Sequence, residues 1–218
     1  MIIFEGYGIQ LKRLEITDIE LIRYWRNSQH IRRFMEFREE ISPEMQKQWF
    51  QKINQTLDYY FLITVNGKYI GLINGSDTDW ENGITGNGGI FVWEEEYWST
   101  SIPFAAAILL TEFSFNLGIS VSRAKILRNN FRSIQFNLAL GYKKLAGQDE
   151  VENQKYELNS HDFFEATRDA RRILSKEYGT QLTFYAIPQL DESEKFLVQQ
   201  YLEMKGKMIS TIELKHGK

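Results

Sequence analysis

Ile90-Phe91-Val92-Trp93-Glu94-Glu95-Glu96-Tyr97-Trp98-Ser99-Thr100-Ser101-Ile102-Pro103-Phe104-Ala105 is the stretch that decides how this chain folds. An apolar run of strand character ends in three acids, a loop of small hydroxyl residues follows, and Pro103 opens an apolar helical stretch. Proline suits the first turn of a helix, where its missing N–H costs nothing. A strand that feeds a helix in this way leaves the first helical N–H groups unpaired. Together with the helix dipole they can hold a pyrophosphate. The same serines and threonine also fit an ordinary N-cap. Three acids beside a phosphate site are expected to face away into solvent.

Upstream, residues 84–93 form the strand, with Gly86, Gly88 and Gly89 inside it. Glycines there point to a bulge or a close backbone approach. Residues 59–65 and 69–73 are apolar runs joined at Asn66-Gly67, the pair favoured in a two-residue hairpin because both positions take positive φ. Ser42-Pro43-Glu44 starts a helix with Met45, Trp49, Phe50 and Ile53 on one face. Residues 9–14 alternate as a strand, and Thr17 or Asp18 caps a helix bearing Ile19, Leu21, Ile22 and Trp25. Downstream come a helix over 102–115, a strand over 121–127, a helix over 130–140 closed by Gly141, and a strand over 155–158. The order β-α-α-β-β-β-α-β-α-β predicts an α/β fold with a largely antiparallel first half.

Composition removes several function classes. The 218 residues carry a net charge of −3, and 43% are hydrophobic, which is ordinary for a globular protein and gives no general nucleic-acid footprint. Cysteine is absent, so a disulfide framework, a thiolate zinc site and a cysteine nucleophile are excluded. His30, His161 and His216 are scattered, no metal site is expected, and neither His30 nor His161 has a recognisable partner in the sequence. The longest uncharged stretch, residues 97–111, contains Pro103 and falls short of the roughly 20 apolar residues of a membrane span. Met1-Ile2-Ile3-Phe4-Glu5 meets an acid before any export signal develops, so a cytoplasmic location is expected.

The central stretch resembles the coenzyme-A loop of the GNAT acyltransferase superfamily, in the branch of ribosomal-protein and amino-sugar N-acetyltransferases. Glu96-Tyr97-Trp98 matches the acid-Tyr-Trp that precedes the loop in that branch. Phe115-Asn116-Leu117-Gly118-Ile119 resembles its helix end, Asn130 and Ser133 its Asn-x-x-Ser, and Leu140-Gly141-Tyr142 its Leu-Gly-aromatic. Leu11-Lys12-Arg13-Leu14, Trp25-Arg26-Asn27 and Ser42-Pro43-Glu44 resemble the same branch, so the likeness runs over residues 9–160. It implies a mixed central sheet flanked by helices. The implied activity is transfer of an acetyl group from acetyl-CoA to a small-molecule or peptide amine, either an amino-sugar nucleotide or a protein N-terminus.

The resemblance also implies a site. Strands 84–93 and 121–127 would lie parallel and diverge to admit the pantetheine arm. A backbone N–H at Phe91 or Val92 would polarise the thioester carbonyl. Trp98, Ser99, Thr100, Ser101, Asn130 and Ser133 would hold the coenzyme, with two of Arg123, Lys125, Arg128 and Arg132 meeting phosphate. Trp25, Arg26 and Asn27 would frame the acceptor, or form core and a solvated helix end. The chain departs from the family pattern in the two loop glycines, here Ser99 and Ser101, and in the third small position, here Pro103. The usual fourth-strand carboxylate is Asn87 and the usual tyrosine is Asn137. Candidate bases therefore move to Asp77, Asp79 and Glu81, which also read as exposed loop acids. The same departures leave open a non-catalytic binding or assembly module with a degenerate coenzyme loop.

Residues 1–160 are thus expected to form an acyltransferase-like domain and residues 161–218 an extension packed on it. Phe163, Phe164, Ala170, Ile173, Leu174 and Tyr178 mark a helix, and Arg168, Arg171 and Arg172 are offset there by Asp162, Glu165 and Asp169. Strands over 182–187 and 208–214 flank a helix over 192–204. That much apolar surface must be covered by the core or by a second copy in a homodimer.

Overall fold

The computed structural model describes residues 1–187, 189–208 and 210–216. A hairpin leads: β1 (Ile2–Gly6) and β2 (Ile9–Arg13) pair antiparallel around Tyr7-Gly8, both at positive φ. Helices α1 (Ile19–Asn27), α2 (Gln29–Arg32) and α3 (Pro43–Gln55) follow. A short 3-10 turn, Ile16–Asp18, enters α1, and Asp18, one of the two predicted caps, is the N-cap residue of α1, its carboxylate accepting the Glu15 N–H at 3.0 Å. Ser42 caps α3 by accepting the Met45 N–H at 3.2 Å, with Pro43 behind it. The buried face of α3 is Gln46 and Ile53, whereas the predicted Met45 is 41% exposed.

The middle of the chain is a meander of β3 (Tyr59–Val65), β4 (Lys68–Asp79) and β5 (Ile84–Val92). Asn66 and Gly67 make its first turn at φ 50° and 77°, as that dipeptide requires. β4 runs six residues beyond the predicted 69–73, through Asn-Gly-Ser-Asp-Thr-Asp, which has little strand propensity; β3 pairs with it only as far as Gly75, and β5 holds the rest. Gly75 is obligatory there, since a Cβ would fall 2.2 Å from the Tyr59 ring. The β4–β5 ladder keeps one register on either side of a gap at Asp77 and Gly86, so the β5 glycines mark no bulge; Gly86 is the predicted close backbone approach, where a Cβ would fall 2.7 Å from the Asp77 carbonyl oxygen. The irregularity lies instead at Ile63/Thr64 in β3.

Then come α4 (Ile102–Asn116), β6 (Val121–Leu127), α5 (Phe131–Ala139), β7 (Lys143–Lys144) and β8 (Asn153–Asn159). The predicted helix over the extension is two helices, α6 (Ser160–Ala166) and α7 (Arg168–Tyr178). Between them Thr167 is fully buried, and Arg171 bonds the Thr167 hydroxyl and the Phe164 carbonyl rather than an acid. β9 (Leu182–Ala186), α8 (Glu192–Met204) and β10 (Ile212–His216) complete the chain. Ile209, inside the predicted strand 208–214, lies outside the described residues.

The ten strands among the described residues form one mixed sheet in the order β10-β9-β1-β2-β3-β4-β5-β6-β8-β7. β9 pairs antiparallel with β1, so the end of the chain extends the sheet that its beginning starts. Helix α4 is apolar nearly all round and buried against one face. Phe113 stacks on Phe4 at 4.0 Å, and Phe184 meets Phe4 edge-on at 5.0 Å. The other face carries a second cluster: Leu14, Ile22, Ile31, Ile53, Leu62, Leu72 and Trp93. The sheet is thus covered on both sides, and the site opens where its middle strands separate.

Candidate active site

β5 and β6 are parallel neighbours at only two positions, Ile84 with Val121 and Thr85 with Ser122. Past them β5 stays paired to β4, and β6 to β8, so the two strands part. The gap opens into a cavity of about 760 Å³. Hydroxyls sit near the last paired residues. Tyr142 and Ser122 share a hydrogen bond of 2.7 Å, and Tyr59 and Thr85 one of 2.6 Å. Burial pushes the Tyr142 phenol up to about 12 and raises that of Tyr59, so both stay neutral.

Strand alternation decides which backbone groups face the gap. The Trp93 N–H donates to the Ile70 carbonyl at 2.9 Å. In a regular antiparallel ladder every second residue points to the same neighbour. Phe91 and Gly89 therefore pair with β4, while Val92 and Ile90 turn their N–H groups toward the gap. Of the two predicted donors, Phe91 is spent on the sheet and Val92 is available. Phe104, Ala107 and Phe136 give the gap an apolar lining, and Lys125 and Arg132 add positive charge. Arg123 and Arg128 are instead paired to Glu157 and Glu150, each at 3.0 Å.

The loop after β5 is built from short-range bonds. Trp98 Nε1 donates to the Val92 carbonyl at 2.7 Å, and the Arg132 guanidinium lies 5.0 Å over the Trp98 ring. Trp98, Thr100 and Pro103 line the cavity; Ser99 and Ser101 are exposed beside it. The Thr100 N–H is taken by the Tyr97 carbonyl at 3.1 Å. Neither Ser99 nor Ser101 is at positive φ, and Ser101 sits at φ −73°, so serine replaces glycine without strain. Glu94 and Glu96 are held by Lys68, which turns the acidic run away from the loop. Asn130 caps α5 by accepting the Ser133 N–H at 3.1 Å, and both residues line the cavity.

On the side of α1 and α3 a few polar side chains stand among apolar ones such as Ile22, Ile31, Met35 and Trp49. The polar ones are Arg26, Gln46, Tyr60, Asn74 and Asn87. Arg26 lies 5.9 Å over the Phe91 ring, and burial lowers its pKa. Trp25 and Asn27, predicted beside it, do not line the cavity. Trp25 stacks on Trp93 at 5.8 Å, and both ends of the Asn27 amide bond the Ile41 backbone. The three predicted bases also lie outside it. Asp77 is exposed at φ 52°, Asp79 accepts from the Asn82 N–H and side-chain amide, and Glu81 is exposed in the same turn. Those hydrogen bonds hold the Asp79 carboxyl below the usual range, opposite to what a base needs.

Gln46, Tyr60, Asn74 and Tyr142 were not singled out from the sequence. Gln46 had a signal: it precedes Trp49, Phe50 and Ile53 at helical spacing, a polar residue on an apolar face. Tyr142 belonged to a quoted motif, whereas Tyr60 and Asn74 become neighbours only through the β3–β4 pairing.

Residues 9–143 match the family described as acetyltransferase (GNAT) domain. An uncharacterized protein of Methanocaldococcus jannaschii is 28% identical over 143 residues, covering 64% of this chain and 29% of that protein, so the chain matches less than a third of its relative. Apo FdhC, a nucleotide-linked sugar GNAT, superposes with a TM-score of 0.64 at 20% identity, covering 78% of this chain and 97% of that one. Aminoglycoside acetyltransferase AAC(6')-Ib in complex with coenzyme A gives 0.61 at 18% identity, covering 73% and 99%. At such identities the likeness is one of fold.

Proposed function

This chain belongs to the GNAT acetyltransferase domain family, and on that premise we propose that it moves an acetyl group from acetyl-CoA to a primary amine in the gap between β5 and β6. The acceptor is an amino-sugar nucleotide or a protein N-terminus. The observation that carries the reading is the open seam itself: two parallel strands that part after Thr85, with free N–H groups at Ile90 and Val92 along one side. The residues fit the coenzyme, because the lining there is apolar at Phe104, Ala107 and Phe136 and cationic at Lys125 and Arg132. Acetyl-CoA would supply the acetyl group as an activated thioester.

The chain's own part is to position and to manage protons. The Val92 N–H is a fixed donor for a carbonyl oxygen in the seam, and such donors need no reorganisation during reaction. Tyr142 holds its proton at all ordinary pH and lies beside the last paired residues of β5 and β6, where it can donate to a departing thiolate. The only carboxylate among the described lining residues is Glu36, which is exposed, and no histidine lines the cavity. The amine therefore enters neutral and gives its proton to water.

The test is amine-dependent release of free thiol from acetyl-CoA, with the acetylated product identified by mass spectrometry. The shortage of buried acids also favours a second reading, a coenzyme-binding module without turnover. Coenzyme binding without thiol release from any amine would establish it.

A further inference from the structure

The acceptor side of the cavity holds a buried amide that the fold leaves unsatisfied and a half-buried guanidinium with no acid beside it. Gln46 is 3% exposed, and its Nε2 has no hydrogen-bond partner among the described residues. It lies on α3 one turn before Trp49, whose ring meets Tyr60 edge-on at 5.1 Å. Arg26, at the end of α1, lies half-buried over Phe91 with Tyr60 as its electrostatic neighbour, and no carboxylate among the described residues pairs with it. Both side chains line the same cavity.

A buried amide donor with nothing to donate to is destabilising, and partial burial of a guanidinium with no acid beside it carries a desolvation cost. Proteins keep such groups where a ligand completes them. Arginine cannot shed its proton, so what completes Arg26 must be an anion, and its planar fork matches a carboxylate or phosphate. The Gln46 amide asks for a neutral acceptor such as a hydroxyl or carbonyl oxygen. An ammonium group would meet repulsion at Arg26. Glu36, the one acid in the lining, is exposed on the loop after α2 and cannot offset this.

Resting on the acetyl-transfer reading above, we propose that the acceptor amine carries an oxyanion that binds Arg26, with Gln46 donating to an uncharged oxygen of the same molecule. Polycationic amines are thereby rejected. Arg26 and Gln46 are specificity residues, separate from the donors of the β5–β6 seam.

Calorimetry on the coenzyme-A-loaded protein tests this without turnover. The probes are matched pairs: glucosamine against glucosamine 6-phosphate and against uridine-diphospho-glucosamine, and an alanyl-alanine amide against an alanyl-aspartate amide, with spermidine as the polycation. The expected result is at least tenfold tighter binding of the anionic member in one family of pairs, and which family shows it tells phosphate from carboxylate. Arg26→Met should bring both members to the neutral level, and Arg26→Lys should restore part of the preference. Gln46→Met should weaken both members of a pair by a similar factor. Equal binding within every pair, tightest binding of spermidine, or a preference that survives Arg26→Met would overturn the proposal. Acetyl transfer to spermidine by the native protein would sink this inference while leaving the acetyltransferase reading intact. An Arg26-dependent preference without thiol release would do the reverse.

Discussion

Trp98 Nε1 donates to the Val92 carbonyl at 2.7 Å, and through this bond the loop after β5 is fastened to the strand that borders the cavity. Arg132 completes the clamp from α5, lying over the same indole and donating to the Trp98 carbonyl. The loop, β5 and α5 are therefore set by one side chain. Trp98→Phe keeps the ring and removes the donor. A lost hydrogen bond of this type costs about 1 kcal/mol, or about fivefold in affinity. Calorimetry with acetyl-CoA should show that weakening, and unchanged affinity would mean the clamp does not shape the coenzyme site.

Ser101→Asp separates folding from binding. An acid at the start of α4 is favourable to the helix, because it complements the N-terminal dipole. The same charge repels a pyrophosphate. The melting temperature should hold or rise while acetyl-CoA affinity falls by at least about tenfold. Ser99→Gly with Ser101→Gly should keep native affinity, since neither serine is at positive φ and glycine relieves nothing. Equal affinity in all three proteins would place the phosphates elsewhere.

The proposed reaction makes a prediction about pH. With Glu36 exposed and no histidine among the described lining residues, its rate should follow deprotonation of the acceptor. Below the acceptor's own pKa, kcat/KM should climb about tenfold per pH unit, as the neutral fraction does. A plateau reached near pH 6 to 7 would reveal a buried base and contradict this.

Tyr142 makes a prediction about stability as well as rate. Its folded pKa of about 12 stands above the ordinary tyrosine value of 10.0, so the folded state holds the proton more tightly. That contribution is complete below pH 10 and is lost as the pH rises toward 12; integrated, it is about 2–3 kcal/mol. Urea denaturation of Tyr142→Phe should show a correspondingly smaller loss over that window than the native protein. If the phenol also protonates the leaving group, the same variant should lose about a hundredfold in kcat with little change in KM. Unchanged kcat would confine Tyr142 to structure.

A chain ending at Ser160 removes β9 and bares the edge of β1, whose Ile2 and Phe4 are 0% and 2% exposed in the full protein. It also takes Ser193 from the buried guanidinium of Arg13, which is 1% exposed. Exposed strand edges associate. Size-exclusion chromatography should show aggregation or a higher oligomer. A soluble, equally stable species of unchanged oligomeric state would make residues 161–218 an independent appendage.

What could be read from the sequence was local. Asn66-Gly67 and Ser42-Pro43 each carry their own backbone requirement, and both turned up as turn and helix start. The parallel pair β5–β6 followed from the helix between the strands. What escaped depends on distant partners. β1 is five residues whose strand is fixed by β2 on one side and β9, 180 residues away, on the other. The polar half of β4 is a strand because β5 holds it, with β3 reaching only to Gly75. The acids Asp77, Asp79 and Glu81 sit near the site in sequence, but β4 and its turn direct them outward. Met45, read as part of the buried face of α3, is exposed, and Gln46 is buried instead.

The most direct test of acetyl-CoA use is calorimetric titration of acetyl-CoA into protein freed of ligand. The expected result is saturable binding with a micromolar dissociation constant, weakened in Trp98→Phe. No detectable binding at millimolar acetyl-CoA, with the native fold intact by circular dichroism, would contradict it.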